Sequence, residues 1–486
     1  MGTGEVGGVH RSCLSCTCIT RLNMKTFIEQ LLAADDIGLV STDLDIPERY
    51  FSDWMTSAPR DSALALVRPR TTQEVSALLR ICHESKVPVV PQGGLTGLAG
   101  GAQPVAKCVL LSLELMKNVE EVDQAACTVV TQAGATLSQI QDAARDHELF
   151  FPLDLGARGS CTVGGNLSTN AGGNRVLRYG MARDLVLGLE VVLADGTVLS
   201  NLNKMLKNNT GYDLKQLFVG SEGTLGVITR AVLKLSPQPR STCTALCSLN
   251  DYDAVLKLLK HVRTHLGPNL SAFEMMWPDF YERMTGGLAH LTTPLPYGSG
   301  AYVLIESQGT DPVRDQSHFE QTLSQALEEE IVQDVVIAQS DTEVKKLWAV
   351  RDSSGEFRAV FWPHVGFDVS VTTGQLGNFV EDLKLRLKKK WPDTTTVFFG
   401  HVGDSNIHIG VKVCPGEQPE AEIEDLVYQA VGAWHGSVSA EHGIGTLKRE
   451  YLHHSRSPQE LQLMKTLKTT MDPHLILNPG KVFTLS

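Results

Sequence analysis

Three glycine-rich loops, each following an apolar strand pattern and all within about 140 residues, restrict the fold more than any other feature of the chain. The first, Val87-Pro88-Val89-Val90-Pro91-Gln92-Gly93-Gly94-Leu95-Thr96-Gly97-Leu98-Ala99-Gly100-Gly101, has five glycines in nine positions. Glycine adopts positive φ at little cost and lets backbone N–H groups approach a phosphate closely. The second, Ser160-Cys161-Thr162-Val163-Gly164-Gly165-Asn166-Leu167-Ser168-Thr169-Asn170-Ala171-Gly172-Gly173, adds hydroxyls and amides to two glycine pairs, a composition suited to a polar ring or a polyol chain. The third runs from Asn208-Asn209-Thr210-Gly211 to Gly220-Ser221-Glu222-Gly223-Thr224-Leu225-Gly226-Val227-Ile228. The first loop is not the G-x-G-x-x-G fingerprint, and no G-x-x-x-x-G-K-[ST] loop occurs. One such loop is often a structural turn, but three beside three strands are not three idle turns.

A second constellation lies far downstream. Gly400-His401-Val402-Gly403-Asp404-Ser405-Asn406-Ile407-His408 places two histidines seven residues apart across a tight turn, and Glu441-His442-Gly443-Ile444-Gly445 follows. Two imidazoles and a carboxylate suit a divalent transition metal with an open position. His442, beside a ligand but free of the metal, is placed to act as a base. Asp404 and Asn406 either orient the histidines or are plain turn residues.

At 486 residues the chain holds two or three domains. Its net charge of −12 excludes long-range attraction of anions and, with no basic block beyond Arg386-Leu387-Lys388-Lys389-Lys390 at a helix end, argues against nucleic acid. Ten cysteines scattered mostly in apolar runs read as reduced core residues, and Cys13, Cys16 and Cys18 lack a second cluster to complete a metal site. No apolar run approaches the ~20 residues of a membrane span. Residues 1–23 read as a disordered leader that makes a poor transit peptide, with an amphipathic helix starting at Met24. The expected location is cytoplasmic; the mitochondrial matrix and peripheral membrane association stay open.

Thr71-Thr72-Gln73-Glu74 reads as a capping box ahead of a helix that leads to the first loop. A strand over 185–194 turns at Asp195-Gly196 into a hairpin, and Ser236-Pro237-Gln238-Pro239 marks a domain boundary. Beyond it, strands over 242–248, 301–306, 332–338, 367–371, 396–399 and 406–413 alternate with helices over 252–265, 315–330, 342–353, 376–389 and 422–434. That pattern predicts an α+β layer with an antiparallel sheet. A tail helix near 459–471 is expected to return the chain to the first domain.

Taken together, Pro91-x-Gly93-Gly94-x-Thr96-Gly97, Gly164-Gly165-Asn166, Gly220-Ser221-Glu222-Gly223-Thr224-Leu225-Gly226, the His401–His408 segment, Glu441-His442-Gly443-x-Gly445 and Asn478-Pro479-Gly480-Lys481 resemble the vanillyl-alcohol oxidase-type flavoproteins. The closer resemblance is to their FAD-dependent D-2-hydroxyacid dehydrogenase branch, over roughly residues 50–486. It implies an α+β protein with a two-part FAD-binding domain over 24–237, a substrate- and metal-binding cap over 238–455, and a segment 456–486 packing back on the FAD domain. It implies that FAD is held by Pro91, Gly93, Gly94, Leu95, Thr96, Gly97, Leu98, Ser160, Thr162, Gly164, Gly165, Asn166, Ser168, Thr169, Asn170, Gly172, Gly173, Glu222, Gly223, Gly226, Val227, Ile228 and Asn478. It likewise implies a metal on His401, His408 and Glu441 (zinc, or manganese or iron), substrate contacts from Arg351 and His442, and His442 as base. Thr96 stands where some relatives carry a histidine bonded to FAD, so non-covalent FAD is expected. The implied partners are a small 2-hydroxy acid and an electron acceptor, a quinone, a cytochrome or an electron-transfer flavoprotein; a homodimer is left open.

Two alternatives share the scaffold, a non-redox enzyme of the alkyl-ether-lipid synthase type and the flavin subunit of a glycolate-oxidase-like complex. Where the hydroxyglutarate enzymes of this branch carry Thr, Lys and Asn, this chain has Gly355, Gly366 and Gly410. The loss weakens the grip on a distal carboxylate and opens room for a bulkier or more apolar tail, with Arg358 and His364 as local candidates to compensate.

Overall fold

The computed structural model describes residues 14–105 and 107–485, with side chains from Met24 onward. A helix over Leu14–Ala33 opens the described chain, ten residues ahead of the expected start at Met24. The remainder of the expected leader and Cys13 lie outside the described residues.

Two sheets build the first region. One holds β1 (Leu39–Thr42), β2 (Ala63–Arg68), β3 (Val89–Gln92) and β4 (Cys108–Ser112) in the order β1-β2-β4-β3. The β2–β4 and β3–β4 pairs are parallel. The helix Thr72–Ser85 crosses between β2 and β3, capped by the Thr71 hydroxyl accepting from the Glu74 amide. Its Val75, Leu78, Leu79 and Cys82 are buried, which is why this segment repeats its apolar residues at helical spacing.

The second sheet contains β5 (Val119–Asp123), β6 (Thr128–Gln132), β8 (Val186–Val192), β9 (Val198–Asn201) and β10 (Val227–Lys234), ordered β5-β6-β10-β8-β9. β8 and β9 form the expected hairpin. A short ribbon joins β7 (Leu149–Phe150) to β11 (Ser236–Pro237).

The cap is one seven-stranded antiparallel sheet. It comprises β12 (Ser241–Leu249), β13 (Leu270–Met276), β14 (Ala301–Gly309), β15 (Asp334–Ile337), β16 (Val365–Ser370), β17 (Thr395–Gly400) and β18 (Asn406–Lys412), ordered β15-β12-β14-β13-β17-β18-β16. Sequence reading overlooked β13 and the helix Pro278–Gly287 behind it. Leu270–Met276 is buried on both faces, so it lacks the alternation that reveals a strand.

The C-terminal helix Pro458–Met471 ties back to the first region: Lys468 donates to the Thr224 and Leu477 carbonyls. Beyond it Val89 donates to the Ile476 carbonyl and Asn478 donates to the Val89 carbonyl, so the tail lies alongside β3.

Candidate active site

The two loops that look alike in sequence differ in what their amides do. Among the described residues, no backbone N–H from Gly93 to Ala99 finds a protein acceptor. A run of unpaired amides at the end of a strand is the donor set an anionic phosphate group needs. In the second loop the amides of Ser160, Cys161, Val163, Gly164 and Asn166 are all bonded to protein carbonyls. The hydroxyls are engaged as well: Thr162 caps Gly165, Ser168 donates to the Gly164 carbonyl and Thr169 to that of Gly165. The Asn170 side-chain oxygen Oδ1 accepts from the Arg183 backbone amide.

The glycines lock these loops together. A Cβ on Gly94 would lie 1.9 Å from the Ser160 carbonyl oxygen, and one on Gly93 2.5 Å from the Thr162 hydroxyl, whereas Gly97 has nothing within 4 Å. Asn478 brings the tail in, donating from Nδ2 to the carbonyls of Gly101 and Glu222 while its buried Oδ1 has no protein partner. These groups fit an FAD whose phosphates meet the first loop.

Glu222 does something its motif did not reveal. Its carboxylate accepts the amides of Ile444 (2.7 Å) and Gly445 (2.8 Å), clamping the Glu441–Gly445 loop of the cap onto the FAD domain. Gly443 and Gly445 both have positive φ, and a Cβ on Gly445 would meet the Ala99 carbonyl at 1.9 Å. Only glycine fits that approach.

The His401–His408 turn closes between β17 and β18, and Phe399 sits opposite His408 in their ladder. His401, His408 and Glu441 converge, with one ligand atom of each within 4.8 Å of the others. His401 Nδ1 bonds Glu274 Oε1 at 2.7 Å, which aims Nε2 toward Glu441 Oε1, 3.8 Å away. Glu441 also accepts the Gly173 amide, and a Cβ on Gly172 would come within 2.7 Å of its carboxylate. This donor set fits a divalent metal: burial lowers the pKa of His401, yet the Glu274 and Glu441 carboxylates override it and push it up to about 9. The two carboxylates therefore favour positive charge on this imidazole, against the nearby Arg351 guanidinium.

A second trio, Asp368, His408 and His442, also converges. Its carboxylate is already used: Asp368 accepts the amides of Glu441 and His442 at 3.0 Å each and the Asn406 amide nitrogen at 2.8 Å, with Lys448 3.5 Å away. The first trio is therefore the better cation site. Asn406 orients Asp368 and neither histidine; Asp404 makes no side-chain bond to either, and burial pushes its carboxyl up to about 7.

His442 Nδ1 is 3.7 Å from Asp368 Oδ2, beyond a good hydrogen bond. Burial lowers its pKa, and the Asp368 carboxylate only partly offsets that. Burial likewise holds His408 well below the usual imidazole value. Both are neutral at pH 7, one fit to ligate and the other to accept a proton. Arg351, at the end of the helix Asp341–Asp352, is 4 % exposed. It donates Nε to Glu274 Oε2 at 2.8 Å, places Nη2 3.4 Å from His401 Nε2 and lies over the Phe399 ring. Among the described residues its Nη1 has no hydrogen-bond partner, which leaves that edge open to an anion.

Comparison with known proteins gives the family of the chain. Residues 63–201 match the FAD binding domain and residues 238–482 match the C-terminal domain of FAD linked oxidases. The chain is 42% identical to the mitochondrial D-2-hydroxyglutarate dehydrogenase of Bos taurus, over 92% of this chain and 81% of that one. It is 35% identical to the D-2-hydroxyglutarate dehydrogenase of Stutzerimonas stutzeri, covering 94% and 98% respectively. Among solved structures it superposes on 4-ethylphenol oxidase from Gulosibacter chungangensis (18% identity, TM-score 0.71, 96% and 97% coverage) and on p-cresol methylhydroxylase (17%, TM-score 0.72, 96% and 97%). The chain belongs to the FAD-linked oxidase family, in its D-2-hydroxyacid dehydrogenase branch. It is an FAD-linked oxidoreductase with the α+β fold of the vanillyl-alcohol oxidase-type flavoproteins. No described helix is long and apolar enough to cross a membrane.

Proposed function

We propose that this enzyme oxidises a D-2-hydroxy acid to the 2-oxo acid. The observation that carries the proposal is the convergence of His401, His408 and Glu441 beside a neutral His442 and a buried Arg351. Bound FAD supplies a two-electron acceptor at N5 for the α-hydrogen and its electron pair, and a metal on the trio, zinc or alternatively manganese or iron, supplies Lewis acidity. Arg351 binds the substrate carboxylate through its free edge. His442 takes the hydroxyl proton, Asp368 holds its loop by the backbone, and Glu274 fixes the tautomer of His401. The electrons leave to an external quinone, cytochrome or electron-transfer flavoprotein. The relatives named above act on D-2-hydroxyglutarate by name, and a Schizosaccharomyces pombe protein 39% identical is provisionally named a mitochondrial D-lactate dehydrogenase, so the 2-hydroxy acid class is common to them. Anaerobic stopped-flow at the flavin absorbance band tests the reading. Bleaching by D-isomers alone, lost on chelation without flavin release, is expected; no bleaching in flavin-replete, metal-loaded protein would sink it.

A further inference from the structure

β16, β17 and β18 turn one face toward the reacting corner, where His408 lies opposite Asp368 and Phe399. Two residues along each strand, on the same face, Gly410 lies opposite Gly366 and Val397. A Cβ on Gly366 would meet nothing within 4 Å, and the same is true of Gly355, just past the helix that carries Arg351. At Gly410 a Cβ would lie 2.7 Å from Phe357 Cε1 and 3.2 Å from Phe361 Cε1. Rings therefore occupy the side of this row that strand side chains leave open.

The rings are continuous with the metal-ligand imidazole. Phe399 is 5.0 Å from His408, Phe357 6.1 Å from Phe399, and His364 4.7 Å from Phe357, centroid to centroid. The cations around these rings stack on aromatic faces or bond a backbone carbonyl. Arg358 stacks on the exposed Trp362, Arg283 lies over Phe361, and Lys412 donates to the Trp362 carbonyl. His364 does not compensate: burial holds its pKa below the ordinary value, aided by Arg358 and Lys412, so the ring is uncharged at neutral pH. Its buried Nδ1 has no partner among the described residues. A second carboxylate set against Phe357, Phe399 and His364 would exchange water for phenyl rings and a neutral imidazole.

We infer that the tail of the substrate is neutral and apolar, aromatic or branched aliphatic, and packs on Phe399, Phe357 and Phe361; this rests on the reading of His442, Arg351 and the His401 trio as the reacting end. The open space at Gly366 gives it room, and the rings that fill the side of Gly410 give it contact. One methylene in such a pocket discriminates by roughly 10–200-fold.

The test uses FAD-bound, metal-loaded enzyme and anaerobic flavin reduction by D-phenyllactate, D-2-hydroxy-4-methylpentanoate, D-2-hydroxyglutarate and D-malate, with L-phenyllactate as control. Both apolar acids should exceed both dicarboxylates by at least ~10-fold in reduction rate over Kd. D-2-hydroxyglutarate or D-malate equal to or faster than the apolar pair would overturn the tail assignment while leaving the reacting end intact; reduction by none of the acids overturns both. Gly366→Lys, which the open space accommodates, should raise the D-2-hydroxyglutarate to D-phenyllactate ratio by ~10-fold or more. An unchanged ratio in that folded variant would remove Gly366 from the tail subsite.

Discussion

Glu274 and Asp368 are both fully buried carboxylates of one sheet, on either side of the two ligand histidines, yet they treat their imidazoles differently. Glu274 gives each oxygen to a side-chain donor, His401 at one and Arg351 at the other. Asp368 gives its oxygens to backbone amides, Asn406 and Lys448, and leaves His442 at 3.7 Å. His401 is consequently pushed up to about 9, while His442 stays below its ordinary value because burial prevails there. A carboxylate hydrogen-bonded to its imidazole at 2.7 Å outweighs the burial that opposes the charge, whereas one at 3.7 Å only partly offsets it. The same pairing of residues thus favours a charged imidazole on one side and a neutral one on the other.

His442→Asn attacks the neutral side at its strongest point. Flavin reduction should fall by roughly 10²–10⁴-fold with FAD still bound, by stopped-flow and absorbance; near-normal reduction would leave the contrast without a catalytic meaning. Asp368→Asn should destabilise the fold by about 3–5 kcal/mol in urea unfolding, because Lys448 loses its buried counter-charge. Adding Lys448→Met should recover part of that loss. Glu274→Gln weakens the cation side and should lower metal affinity by ~10–100-fold in a metal titration. An unchanged affinity would mean that His401 needs no second partner.

The smallest effect is in pH. Because the pKa of His442 lies below 6.5, the reduction rate should be flat from neutrality down past that value and fall only as the pH drops further. The sign for stability is the same: His442 binds its proton more weakly folded than unfolded, so its contribution is present above the unfolded value and lost as pH falls. A rate already falling between pH 8 and 7 would break the comparison from the His442 side.

The convergence of His401, His408 and Glu441 and the first glycine loop were legible because the motifs that carry them are local and their residue types are distinctive. Glu274 was not: its strand is uniformly buried, and nothing near it in sequence points across 127 residues to His401. A lone acid in an otherwise uncharged stretch was the available signal. Glu222 was visible as part of a glycine motif but was assigned to the cofactor, whereas its carboxylate binds the Ile444 and Gly445 amides. Glycine count could not separate the two N-terminal loops either, since the first keeps its amides free and the second uses them on neighbouring carbonyls. Only three-dimensional pairing distinguishes those states.

The strip Ile476–Asn478 beside Val89 has a temporal consequence. β3 and the turn after it are made early in synthesis, but their last hydrogen bonds come from residues nearly four hundred positions later. Lys468, reaching Thr224, adds to the same late closure. A nascent chain that has finished its first two sheets is therefore not yet ready to retain a nucleotide.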